Sequence, residues 1–182
     1  GHIRMIYARE KAKRALLEEF KAHVLSVVAT PEDLIEKVLE PYAESYLIAK
    51  SQQYVSTKNA EDVNRLLKWL NRIDNSDWLP PAILFLSQKK DHPEYVLWFF
   101  TKLERLAAYL HICAKNVNQR IERYADVIAS LQSSHSKDTP AVSVELTKAE
   151  IDEMKDALDG KIYELTARRR NYLILRLDSF LS

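Results

Sequence analysis

The sequence predicts an all-α protein, a multi-helix bundle of about seven to eight helices with no sheet. Three observations carry that prediction. Apolar residues recur at helical spacing along almost the whole chain, and no strand-type alternation persists. The 182 residues include only 2 Gly and 6 Pro, too few for the positive-φ turns that a β-rich chain needs. Helix-start signatures also recur, with Thr, Asn or Asp placed ahead of acidic first turns.

The first helix is expected from about Ile3 to Val28, with Leu16, Leu17, Phe20, Val24, Val27 and Val28 as its apolar stripe. Thr30-Pro31-Glu32-Asp33 starts the second. Thr30 caps, Pro31 sits where no N–H bond is needed, and the two acids face the positive end of the helix dipole. Leu34, Ile35, Val38, Leu39, Tyr42, Tyr46 and Leu47 follow, and Pro41 should kink or divide that helix. Asn59-Ala60-Glu61-Asp62 is the capping signature of a third, which carries Val63, Leu66, Leu67, Leu70 and Ile73. A turn at 75–81, containing Pro80-Pro81, feeds a fourth from Ala82 to about Gln88.

Asp91 and Pro93 open the most regular helix, in which Val96, Phe99, Phe100, Leu103, Leu106, Ala107 and Leu110 repeat on one side. Another runs from Asn116 to about Leu131. Ser133 to Val144, rich in Ser and containing Pro140, reads as a loop. Thr147 and Glu150 form a capping box, and the helix they start ends at Asp159-Gly160, with Gly160 expected in the left-handed position.

The last helix is expected from Lys161 to the end. At about 100° per residue, Ile162, Leu165, Tyr172, Leu173, Leu177 and Phe180 share a face with Arg169 and Arg176. Ile174, Leu175 and Leu181 fall outside that face, so the C-terminal half is apolar almost all round and predicts burial on every side. Gly1-His2 reads as a tag remnant. Residues 3–182 read as one helical domain, a fragment of a larger multidomain protein whose remaining surface covers this helix.

Composition narrows the function. Hydrophobic residues are 47% of the chain, enough for a core, and a domain of this size buries roughly 70% of its unfolded surface. With 27 Lys+Arg against 26 Asp+Glu the net charge is +1, which gives no global steering of nucleic acid but leaves room for a local basic patch. Cys113 is the only cysteine, so no intrachain disulfide forms and a reducing, cytoplasmic setting fits. No apolar run reaches the roughly 20 residues of a membrane span, and no signal peptide is visible, so no membrane partner is expected.

No catalytic residue, cofactor or metal site is expected in these residues. The histidines are His2, His23, His92, His111 and His135, and none pair at helical spacing. His111-Ile112-Cys113 supplies too few ligands to close a site. There is no Gly-x-Ser-x-Gly, no His-Glu-x-x-His and no Gly-x-x-x-x-Gly-Lys. Asp74 and Asp77 read as caps around a turn rather than as paired catalytic carboxylates. The phase of Trp69, Trp78, Trp98, Phe99 and Phe100 matches core rather than base stacking.

The arginines are the remaining signal. Arg168-Arg169-Arg170 form a run extended by Arg176; Arg120 and Arg123 lie on another helix, Arg65 and Arg72 on a third. Such residues suit phosphate contact; the competing reading is ordinary salt-bridged helix surface. Arg169, inside an apolar stripe, needs a carboxylate, for which Glu104 and Asp126 are candidates.

Three stretches together resemble a known family. They are Leu66-Leu67-Lys68-Trp69-Leu70-Asn71-Arg72-Ile73-Asp74 with Trp78-Leu79-Pro80-Pro81; Leu103-Glu104-Arg105-Leu106-Ala107 followed by Asn118-Gln119-Arg120-Ile121-Glu122-Arg123-Tyr124; and Arg168 to Asp178. In this order they are similar to the helical middle region of GmrSD-like modification-dependent (type IV-like) restriction endonucleases. The resemblance covers the chain from about Leu34 onward. It implies a non-catalytic helical connector that spaces an N-terminal ParB-like, nucleotide-hydrolysing domain from a C-terminal HNH nuclease domain. None of the family's catalytic residues maps onto this chain. The partners implied are the neighbouring domains of the parent chain, with DNA contact at Arg168, Arg169, Arg170, Arg176, Arg120 and Arg123 left open. A self-contained protein-interaction module, including a homo-oligomer, is the alternative, supported by the all-round apolar end of the last helix. A free-standing enzyme has little support.

Overall fold

The stretch Leu79-Pro80-Pro81-Ala82-Ile83-Leu84-Phe85-Leu86 has no polar face, so as a helix it must be covered on every side. In the computed structural model, which describes residues 1–133 and 142–181, it forms the central helix α6 (Leu79–Lys89), with all of these side chains buried. Helices α1 (His2–Ala8), α4 (Glu40–Ser51), α7 (Pro93–Ile112) and α8 (Val117–Ser133) pack around it. Helix α5 (Ala60–Arg72) lies along α7, and α9 (Lys148–Asp159) packs on α7 as well. The architecture is an all-α bundle, with no strand among the described residues.

Aromatic rings fill the centre. Phe85 stacks on Phe99 with centroids 3.8 Å apart and meets Tyr95 and Phe100 edge-on. Trp78 is fully enclosed at the start of α6. Pro80 and Pro81 lie in the first turn of α6, where their missing N–H groups cost nothing, so the helix begins earlier than the expected Ala82.

The expected first helix is broken. α1 ends at Arg9, which is left-handed (φ 54°), and helix resumes only at α2 (Leu16–Phe20), which runs into a π-helical turn at Lys21–Leu25. Arg4 explains the break. Its guanidinium is buried, donates to Glu19 (2.9 Å) and also takes the carbonyls of Glu10 and Lys11. Carbonyls turned toward a guanidinium are not available to a helix ladder. Leu16, Leu17 and Val27, expected to be buried, are exposed.

The second expected helix is a composite. Thr30 caps α3 (Pro31–Leu34) by accepting from the Asp33 N–H at 3.1 Å. A π-helical turn at Ile35–Leu39 leads into α4. Pro41 falls in the first turn of α4, so the regular ladder lapses where Pro41 has no N–H to give. Asn59 does not cap α5: it is left-handed (φ 61°), and its amide instead reaches the Pro93 carbonyl. Asn116 and Gln119 start α8 reciprocally, Asn116 Oδ1 accepting from the Asn118 and Gln119 N–H groups and Gln119 Oε1 from the Asn116 N–H.

The Thr147–Glu150 capping box of α9 is present. Gly160 is extended (φ −76°), not left-handed. A 3-10 turn at Ile162–Glu164 follows, and α10 spans Ala167–Leu181. Ile162 and Leu165 are thus off the last helix, contrary to the expected single face. Tyr172 is buried, but Ile174, Leu175 and Leu177 are 56%, 47% and 62% exposed. The burial expected all round α10 does not occur among the described residues. Most of the Ser133–Val144 loop, with His135 and Pro140, lies outside the described residues, as do the faces expected for Phe180 and Leu181; Val142–Val144 forms a 3-10 turn.

Candidate anion-binding cleft at the start of α10

One buried carboxylate anchors the middle of α10 to the bundle. Glu104 on α7 is 5% exposed. It accepts from the Tyr172 hydroxyl at 3.0 Å and from Arg176 Nε at 3.0 Å. The Tyr172 ring sits edge-on to Trp69 (6.0 Å) and to His111 (5.4 Å). Burial, reinforced by the Glu104 charge, drives the Tyr172 hydroxyl well above its ordinary pKa, so it stays a donor. Arg176 also lies 5.3 Å from the Trp69 ring centroid, and Arg72 lies 4.5 Å from the same ring. Glu104, proposed as a partner for Arg169, therefore serves Arg176.

This attachment brings the first turn of α10 to the junction of α5, α7 and α8. A cleft of about 260 Å³ results, lined by Asp74, His111, Lys115, Arg120, Arg168 and Arg169 among others. Asp74 follows the end of α5, and His111 is in the last turn of α7. Left-handed Ala114 (φ 56°) then turns the chain so that Lys115 and, from α8, Arg120 enter the cleft. Four cationic side chains line it, with Asp74 as the carboxylate among the lining residues.

The ion pairs differ in quality. Arg120 Nε donates to Asp77 at 2.7 Å and its Nη1 to the Lys115 carbonyl at 2.8 Å. Lys115 donates to Glu153 on α9 at 2.6 Å. Arg168 Nη1 reaches Asp74 Oδ2 only at 3.3 Å, with the Arg168 side chain 78% exposed. Arg169 makes no ion pair among the described residues. Asp74 and Asp77, expected as caps, are instead partners of Arg168 and Arg120; the Asp77 N–H is taken by Asn75 Oδ1 at 3.2 Å.

The other predicted arginines lie elsewhere. Arg123 is consumed internally, donating to Glu150 at 2.7 Å and to the carbonyls of Ser143 and Glu145. Burial works to raise the Glu150 carboxyl, but the hydrogen bonds from Arg123 and Thr147 outweigh it and hold it below the usual carboxylate range. Arg170 is half-buried on α10 and does not line the cleft. Arg65 pairs with Asp62 within α5. Of the six predicted contact residues, the cleft thus unites Arg120, Arg168 and Arg169. His111, Asp74 and Lys115 line it as well: the sequence marked Asp74 as a cap and His111 as an incomplete ligand pair, and gave Lys115 no local signal.

His111 is buried, with Nδ1 3.4 Å from Asp74 Oδ1. Burial lowers its pKa, the Asp74 charge opposes that, and Arg169 and Arg120 reinforce it. The unfolded chain takes up this proton near 6.5, the folded protein only at lower pH. Stability is therefore full above about 6.5 and declines as pH falls through that value, before most carboxylates titrate. Thermal melts of His111→Gln should show a shallower decline over that window than the wild type. Superimposable pH profiles would remove His111 as a source.

Among the described residues, no cluster of three or more His, Cys, Asp or Glu side chains is placed to hold a metal ion, and no helix is long and apolar enough to cross a membrane. No protein-family model matches the chain, and no curated protein or solved structure matches it either.

Proposed function

We propose that the chain is a non-catalytic helical connecting domain of a DNA-targeting, restriction-type nuclease. It spaces an N-terminal nucleotide-hydrolysing domain from a C-terminal HNH nuclease domain in the cytoplasm, and it touches the DNA backbone through the cleft at the start of α10. The three ordered sequence stretches support the kinship. The observation that carries the DNA contact is the convergence of Arg168 and Arg169 with Lys115 and Arg120 in one concave site. Arginine forks match phosphate oxygens, and exposed Arg168 exchanges a long contact to Asp74 for a better one at little cost. A bundle built on a fully covered α6 also supplies the stiffness that a spacer needs.

Fluorescence anisotropy with a short duplex tests the contact. Arg168→Glu/Arg169→Glu should weaken binding by at least about tenfold, while Arg65→Glu, on another helix, should change it little. Equal binding by wild type and the double variant would remove the cleft as a DNA contact.

A second reading has its own observation. Ile174, Leu175 and Leu177 expose an apolar strip on α10, which suits a protein partner or a second copy. Light scattering across concentrations separates the two: a strict monomer counts against self-association through this strip.

A further inference from the structure

Asp74 is placed unlike the other carboxylates around the cleft. Asp77 and Glu153 hold their cations at 2.7 and 2.6 Å. Asp74 instead splits its oxygens between two donors at longer range: Oδ1 lies 3.4 Å from His111 Nδ1, and Oδ2 lies 3.3 Å from Arg168 Nη1. It is 42% exposed. It bridges a ring nitrogen and a guanidinium, with Arg169 beside it and without an ion pair of its own. Two oxygens of a tetrahedral oxyanion would make the same bridge, with further oxygens left for Arg169.

We infer that the cleft binds one phosphate group and that Asp74 is its built-in competitor, occupying the anion position until a phosphate displaces it. The inference rests on the cleft reading above and narrows it: the ligand is a single phosphate, and the affinity is held down by a carboxylate of the same chain. The charge balance supports this. Lys115 and Arg120 keep their own short pairs and contribute a fixed field. Arg168 and Arg169 supply the planar donors that recognise phosphate. A carboxylate within a few ångströms of an incoming phosphate repels it, by an amount that water reduces because Asp74 is partly exposed. Displacing Asp74 breaks two long contacts, and its partial exposure lets water take over the carboxylate.

Calorimetric titration with inorganic phosphate tests this on the whole chain. Asp74→Asn keeps the shape and the hydrogen-bonding oxygen but removes the charge. It should bind phosphate about tenfold more tightly than the wild type, and Arg168→Ala/Arg169→Ala should bind at least about tenfold more weakly. Equal or weaker binding by folded Asp74→Asn, or phosphate binding by none of the proteins, overturns the inference. If Asp74→Asn does not fold, NMR of the wild type decides. Phosphate should shift the His111 ring and Arg168 Nε resonances together with the Asp74 carboxyl carbon, and unmoved resonances overturn it. Tighter phosphate binding without duplex binding would leave this site standing and sink the DNA reading. Duplex binding that needs Arg168 and Arg169 but ignores Asp74 would do the reverse.

Discussion

Phe85→Ala should cost about 3–5 kcal/mol of folding stability, the range for emptying a fully buried aromatic site. Phe85 has no exposed surface, stacks on Phe99 and meets Tyr95 and Phe100 at their edges. It sits on α6, which α1, α4, α7 and α8 all touch, and its ring meets Tyr95, Phe99 and Phe100 of α7, so the cavity would open between α6 and α7. Collapse around it is hindered because its neighbours are held by further helices. Against a total stability of typically about 5–15 kcal/mol, the loss would leave a marginal domain. Urea unfolding with an unchanged m-value measures it. A cost under about 1.5 kcal/mol would mean that the aromatic cluster repacks and that α6 is not the centre it looks to be.

Glu104→Ala should cost about 3 kcal/mol and act locally, by loosening α10. The change leaves the buried Tyr172 hydroxyl without its acceptor and takes from Arg176 its carboxylate. Glu104→Gln, which keeps an acceptor for Tyr172 but not the charge, should cost less. Hydrogen exchange gives the distinguishing readout. Amides of α10 should exchange faster while those of α6 and α7 keep their protection. Duplex binding should weaken too, because α10 carries Arg168 and Arg169 to the cleft. Unchanged protection of α10 would show that Tyr172 and Arg176 do not hold it.

What could be read in the sequence followed what is local. The Thr30 cap and the Thr147–Glu150 box each act within a few residues, and each has the structural role its pattern implies, whereas Leu79-Pro80-Pro81, expected in a turn, opens α6. The rule that a helix apolar all round is buried all round applies to α6; on α10 it fails among the described residues, where Ile174 and Leu177 face outward. Helix ends were harder to read because the chain turns at Arg9, Gln52, Asn59 and Ala114, non-glycine residues at positive φ, a conformation that their residue types do not announce. Gly160, the residue whose type suggested such a turn, is extended instead. Arg4 accounts for the break in the expected first helix: a buried guanidinium commits two carbonyls outside the helix, which no periodicity reveals.

The cleft follows the same logic. Arg168 and Arg169 stood out as a run, but their neighbours come from the turn after α5, the end of α7 and the start of α8. Asp74 lies 94 residues from Arg168, its contact in the cleft. Arg120 and Arg123 looked equivalent, three apart on one helix, yet one faces the cleft and the other ties α8 to α9 through Glu150.

The salt dependence of duplex binding tests the central claim most directly. If Arg168 and Arg169 meet backbone phosphates, the slope of log K against log salt for Arg168→Ala/Arg169→Ala should be shallower than the wild-type slope by about one to two units. A wild-type chain that binds no duplex at low salt, or a double variant with the wild-type slope, would contradict it.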